Sequence, residues 1–140
     1  MRVKRIRNTR KNEKGQSLVE FALVVPLLLL LVIGIAEFGR AWMTKNILTG
    51  AAREAVRMYA VKDDTAAATA RAINILSSAA LDNALWNIVP ILPGADGSLG
   101  YRVEYNYPLA IAGFIPGLSG TSIPLSSETT MRREWDIVVP

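Results

Sequence analysis

The chain has 140 residues, a formal net charge of +4 and 51% hydrophobic side chains. It contains no cysteine and no histidine, which excludes a disulfide framework, a Cys nucleophile, a Ser-His-Asp triad and a His/Cys zinc site. Carboxylates remain, but no pair stands in an acid–base setting, and "GADGSLG" lacks the strand before it and the helix after it that a phosphate loop needs. The sequence therefore predicts no enzyme, no cofactor, no metal site and no small-molecule substrate.

The charge is unevenly placed. Arg2, Lys4, Arg5, Arg7, Arg10, Lys11 and Lys14 stand against one acid, Glu13, so residues 1–14 carry +6. The remainder holds nine basic and eleven acidic side chains, or −2. A basic patch on the folded part is missing, so nucleic acid is not an expected partner. A basic segment flanking a hydrophobic span reads instead as a topogenic signal that stays cytoplasmic.

Helix-like sequence runs from Gln16 to about Tyr59. Residues 21–36 carry no charge and are almost entirely apolar. With residues 16–20 they make a helix of about 20 residues, near the length that crosses a bilayer's hydrocarbon core. Pro26 lies inside it, which a membrane helix tolerates. Glu20 sits at the edge of this segment. A charge costs roughly 2.5–3.5 kcal/mol at a bilayer centre and less near the interface, so an acid here is a functional candidate by default. A structural alternative exists: Ser17 and Glu20 have the spacing of a capping box.

Beyond the apolar run the pattern becomes amphipathic. Phe38, Trp42, Ile47, Leu48, Ala51, Ala55 and Val56 recur at helical spacing, with Arg40, Lys45, Arg53, Glu54 and Arg57 on other faces. Phe38 and Trp42, beside Arg40, stand where an interfacial aromatic belt would be. "VKDDT" then breaks the pattern. Asp64 or Thr65 can cap a second helix over residues 65–85, whose Ile73, Leu76 and Ala80 share a face. "PILPGADGSLG" reads as a turn region. "YRVEYNY" alternates cleanly and predicts a half-buried strand with Tyr101, Val103, Tyr105 and Tyr107 on one face. A second strand is expected around residues 123–133. The apolar loop between them, around Phe114 and Ile115, is expected to be buried in the head. The fold class is α+β: a long N-terminal helix with a small head of a second helix and a short antiparallel sheet.

A cut after Gly15 would give Glu20 a purpose. The new α-amino group on Gln16 has a reference pKa near 8 and lies one helical turn from Glu20. The carboxylate could neutralise it in the same helix or in a neighbour within a bundle of parallel helices. At this point the residues resemble a known family. "KGQSLVEF" before an apolar run looks like the class III signal of type IV pilin-like proteins. The block "GQSLVEFALVVPLLLLLVIGIAEFGRAW" resembles the TadE-like family of the Tad (Flp-type) pilus machinery, whose members are minor pilins or pseudopilins. "AAREAVRMYAV" and the late "MRREW" are similar to family regions too. A bare G-x-x-x-x-E is weak. Here it follows a basic leader, precedes Phe21 and opens a long apolar helix, which makes it specific.

The resemblance implies a pilin-like layout and cleavage between Gly15 and Gln16 by a prepilin peptidase, with Glu20 and Phe21 as the family's acidic–aromatic assembly pair. It implies four regions: a cleaved basic leader (1–15), a transmembrane part (16–37), an extramembrane amphipathic part (38–60) and a head (61–140). It implies a single-pass protein of the cytoplasmic (inner) membrane, N-terminus cytoplasmic and head extracytoplasmic. The expected role is structural, in assembly of a Tad/Flp adhesion pilus or a related secretion apparatus. Other minor pilins, the major Flp pilin and the inner-membrane assembly platform would be partners. Three other readings stay open from the residues: a Sec signal peptide cleaved after Ala36, where Gly34 and Ala36 fit the small-x-small rule; an unprocessed single-span anchor with a small extracytoplasmic domain; and a membrane-associated enzyme or ligand-binding module.

Overall fold

The computed structural model describes residues 13–94, 97–114 and 116–133. The chain divides into two compact units, Met1–Ala36 and Glu37–Pro140. The first helix, α1 (Glu13–Lys62), supplies the described part of the first unit and opens the second. It starts before Ser17, so Ser17 lies inside it and is not its N-cap. The capping box is thereby corrected: within a continuous helix the Glu20 N–H is already satisfied by the carbonyl four residues earlier.

In the second unit α1 is the central core helix. Leu48, Ala51, Ala52, Ala55, Val56, Tyr59 and Ala60 are all buried, at the three- and four-residue spacing that aligns one helical face. Asp63 ends the helix in the left-handed region (φ 50°), and its N–H still reaches the Tyr59 carbonyl at 3.0 Å. Asp64 then caps α2 (Thr65–Ser78), its carboxylate accepting from the Ala67 N–H at 2.9 Å, as Asp does for one of the orphan donors of a first turn. Ala68, Ala72 and Leu76 bury the inner face of α2.

α2 is shorter than its sequence suggests. Ala80 takes a left-handed φ of 55°, and the Ala80 and Leu81 N–H groups fold back on the Ser77 and Leu76 carbonyls, which closes the helix with a Schellman-type cap. Asp82 then turns the chain, its carboxylate accepting from the Ala84 N–H at 2.9 Å. A strand missing from the sequence reading follows: β1 (Trp86–Ile91). With β2 (Ser98–Pro108) and β3 (Ser122–Arg132) it forms an antiparallel sheet in the order β1-β2-β3. The sheet thus has three strands rather than two.

Its register gives a reason for both strand prolines. Asn106 donates its N–H to the Leu85 carbonyl on the β1 side, whereas Leu109 donates to Thr121 on the β3 side. Even-numbered residues of β2 therefore bond toward β1 and odd-numbered ones toward β3. Pro90 lies opposite Tyr101 and Pro124 opposite Asn106. Each proline nitrogen thus faces an open edge, where no ladder donor is needed and further strand pairing is discouraged.

The core face of β2 carries Leu99, Tyr101, Val103, Tyr105 and Tyr107, all buried, as the alternation in the sequence predicts. Among the described residues Tyr101 is the largest fully buried side chain. It meets Tyr59 of α1 edge-on, with ring centroids 6.0 Å apart, and its hydroxyl donates to the Thr65 carbonyl of α2 at 3.0 Å. One side chain on the central strand therefore touches both helices. On the outer face Gly100 is closely surrounded: an added Cβ would lie 3.0 Å from the Thr129 carbonyl oxygen and from Thr130 Cγ2, so a side chain there needs those neighbours to shift. The Phe114 side chain and Ile115 lie outside the described residues, as do Glu134 and Trp135.

Candidate functional site

The first unit presents side chains that stay exposed among the described residues. Leu18, Val19, Phe21, Leu23, Val24, Leu27 to Ile33 and Ile35 are all exposed, Leu27 by 70%. An 18-residue window of this helix has a mean hydropathy of 2.9 and none of it is buried. Burying one such Leu, Val, Ile or Phe side chain gains about 1.5–3 kcal/mol. A run of them left bare needs lipid or other helices around it. By length and composition the helix fits a single-pass membrane anchor.

At the start of this helix Gly15 has open space around it: an added Cβ would meet nothing within 4 Å. The Gln16 side-chain amide donates to Glu20 Oε1 at 3.2 Å, an exposed pair one turn apart. Phe21, next in sequence, is also exposed. The Lys14 side chain and Arg2, Lys4, Arg5, Arg7, Arg10 and Lys11 lie outside the described residues. Gly15, Gln16, Glu20 and Phe21 thus stand together on the first turns of an uncovered helix.

The second unit opens on a residue that the sequence reading left without a role. Glu37 is only 6% exposed. The Tyr107 hydroxyl donates to its Oε2 at 3.3 Å, across 70 residues of sequence. Arg40, one turn on, donates to its Oε1 at 3.4 Å from a largely exposed position. The carboxylate is held from both sides, which compensates its burial. Burial raises the Tyr107 phenol above its usual range, and the negative charge and hydrogen bond of Glu37 push the same way.

Phe38 and Trp42 point elsewhere. They stack on each other with centroids 6.2 Å apart and planes 26° apart, and both are more than 60% exposed. Met43 beside them is exposed as well. Thr44 returns its hydroxyl to the Arg40 carbonyl at 3.1 Å. Lys45 donates to the Ser126 carbonyl on the open edge of β3, and the Thr49 and Ser127 hydroxyls meet at 2.9 Å. Arg40 thus bonds Glu37 through its guanidinium and accepts from Thr44 through its carbonyl. The signal for Glu37 was available: an acid directly after an uncharged apolar run, with Arg three residues later. Its partner Tyr107 was not legible, because only the strand topology brings it there. Among the described residues no group of three or more Asp or Glu gathers as a metal site would require.

Residues 15–57 match the family model described as TadE-like protein. No curated protein and no solved structure matches the chain. The match covers the exposed apolar helix and most of the core part of α1, through Arg57, and ends before α2 and the sheet. The TadE-like family is pilus-associated and structural, and the match to it spans residues 15–57 of the 140.

Proposed function

We propose that the chain carrying this TadE-like segment is a minor pilin (pseudopilin) precursor, a structural component in assembly of a Tad-type pilus or a related secretion apparatus. The observation that carries this reading is where the family match lies. It begins at Gly15, the residue before the proposed cut, and runs along the helix whose apolar side chains from Leu18 to Ile35 are exposed.

In this reading Arg2, Lys4, Arg5, Arg7, Arg10, Lys11 and Lys14 hold the leader in the cytoplasm while residues 16–37 cross the membrane. The prepilin peptidase cuts between Gly15 and Gln16. The released Gln16 ammonium takes over the place of the Gln16 amide beside Glu20, in its own helix or in a neighbouring subunit. A paired charge is much less costly in a low-dielectric layer than a lone one. Phe38, Arg40 and Trp42 sit at the interface on the extracytoplasmic side. Other minor pilins, the major Flp pilin and the inner-membrane platform are the partners that pack on the remaining apolar face.

The test is recovery. The full-length protein, expressed in a host with its Tad machinery, should be extracted only by detergent before assembly. After assembly it should co-sediment with sheared pili or with the assembly complex. Release as a soluble protein, free of membrane and pilus fractions, would contradict the reading.

A further inference from the structure

The outer face of the sheet carries an acid without a cation. Glu104 lies on β2 opposite Asn87 of β1 and Ser126 of β3. With Asn106, Leu85 and Pro124 these residues line a cleft of about 290 Å³. The Asn87 amide donates to Glu104 Oε2 at 3.5 Å, which leaves Glu104 Oε1 and Asn87 Oδ1 as open acceptors. Among the described residues the Ser126 hydroxyl and the Asn106 amide have no hydrogen-bond partner. Arg102, two residues along on the same face, gives both Nε and Nη2 to Glu128, at 2.9 and 2.7 Å. Lys45 reaches the Ser126 carbonyl at the strand edge, not the carboxylate. The cleft therefore presents acceptors and negative charge, and suits a cationic donor.

The opposite side of the same unit carries a cation without an acid. Leu48, Ala52, Ala55 and Tyr59 of α1 point into the core, whereas Asn46, Arg53 and Arg57 are exposed on the face turned away from it. The residues three and four places from Arg53 are Thr49, Gly50, Val56 and Arg57. None of them is an acid, and Arg57 is a like charge, which is unfavourable at that spacing. The adjacent Glu54 is taken by Arg57 at 3.1 Å and by Arg71 at 3.7 Å. α1 packs on the core face of the sheet, where Tyr59 meets Tyr101 and Thr49 meets Ser127. Helix and sheet thus separate Arg53 from Glu104, and a single copy cannot join them.

We infer that the cleft around Glu104 receives the Arg53 side chain of a second copy of this chain. A guanidinium is the matching donor: it is planar, always charged, and carries five N–H groups in a fixed fork. One edge meets the Glu104 carboxylate, and the remaining N–H groups face Asn87 Oδ1 and the Ser126 hydroxyl. Gly50, one turn before Arg53, has open space around it, with nothing within 4 Å of an added Cβ, so no side chain stands beside the arginine on that turn. The two halves of the contact lie on opposite sides of one unit. The contact is therefore heterologous, and its repetition builds a row or ring of copies rather than a closed pair. The inference goes beyond the proposed role, because it concerns this chain's own copies and holds whether or not the leader is cut.

The absence of cysteine makes the test direct. Gly50→Cys, beside Arg53, and Ser126→Cys, in the cleft, are combined in the full chain. The protein is placed in phosphatidylcholine/phosphatidylglycerol vesicles and treated with a short, membrane-permeant bismaleimide. The inference expects a ladder of dimers, trimers and longer products, whereas either single-cysteine variant gives nothing longer than a dimer. Arg53→Glu or Glu104→Arg, added to the two-cysteine chain, should each abolish the ladder. Both reversals together should restore it, which separates a lost contact from a lost fold. A missing ladder, products that stop at dimers, a ladder indifferent to either reversal, or a double reversal that restores nothing would each overturn the inference. Co-sedimentation of that chain with sheared pili would still support the proposed structural role, so the two readings fail separately.

Discussion

The Tyr107 hydroxyl lies 3.3 Å from Glu37 Oε2 and donates to it, joining the end of the central strand to the first residue of the second compact unit. The contact secures a carboxylate that is almost fully buried where an apolar helix gives way to a folded core. Removing the donor leaves a buried charge with only Arg40 to answer it. Tyr107→Phe should therefore cost about 1–3 kcal/mol, read as a lower unfolding midpoint of the purified protein in detergent. Glu37→Gln, which keeps an acceptor oxygen, should cost less. Equal midpoints for Tyr107→Phe and the parent chain would remove the contact from the account.

Two tyrosines give the head a dependence on alkaline pH. Burial raises the Tyr101 phenol, with the neighbouring Tyr59 and Asp64 adding to it against the Thr69 hydrogen bond. Burial and Glu37 raise that of Tyr107. A phenol whose folded pKa exceeds its unfolded value, near 10, keeps its proton longer in the native state. Its contribution is present in full below pH about 10 and is lost as pH rises through the folded value. Stability should be flat through neutral pH and fall on the alkaline side of 10. The variant carrying both Tyr101→Phe and Tyr107→Phe should be less stable at pH 7 and show a flatter alkaline limb. An unchanged limb would show that other groups set it.

Ala80 closes α2 in the left-handed region, φ 55°, a conformation that costs an L-residue with a Cβ roughly 1–2 kcal/mol. Ala80→Gly should raise stability by about 1 kcal/mol, because glycine relieves that strain at the helix cap. Chemical unfolding of the two proteins side by side would show it. A destabilised Ala80→Gly variant would mean that the alanine methyl contributes packing that outweighs the strain.

Processing and assembly should separate at two neighbouring positions. A side chain on Gly15 meets nothing within 4 Å in the precursor, so Gly15→Leu leaves the fold intact and should block cleavage through the peptidase alone. Glu20→Val should be cleaved normally and yet be depleted from assembled pili, because the Gln16 ammonium loses its counter-charge. Pulse labelling follows the first effect and immunoblots of sheared pili the second. Normal incorporation of Glu20→Val would leave Glu20 as no more than the helix-surface partner of Gln16.

Much of this molecule was legible from residues alone, for identifiable reasons. The first helix is marked by an uncharged run that no strand period fits. The central strand shows in the alternation of Tyr101, Val103, Tyr105 and Tyr107, and the α2 cap in Asp64. What escaped detection depended on tertiary context. β1 carries Pro90, which argues against a strand until the register shows its nitrogen on an open edge. α2 ends at an alanine rather than a glycine, so its stop was invisible and the helix was extended over residues 79–85, which form the cap and the turn before β1. Glu37 looked like the last feature of an anchor. Only a strand returning from residue 107 reveals that it belongs to the core.

The central claim is that the first fifteen residues are a leader removed by a prepilin peptidase. The most direct measurement is the intact mass and N-terminal sequence of the protein from its native membranes, with and without that peptidase. The account predicts a mature chain that begins at Gln16 and is replaced by the full-length precursor when the peptidase is missing. A chain that begins at Glu37, or that keeps Met1 with the peptidase active, would contradict it.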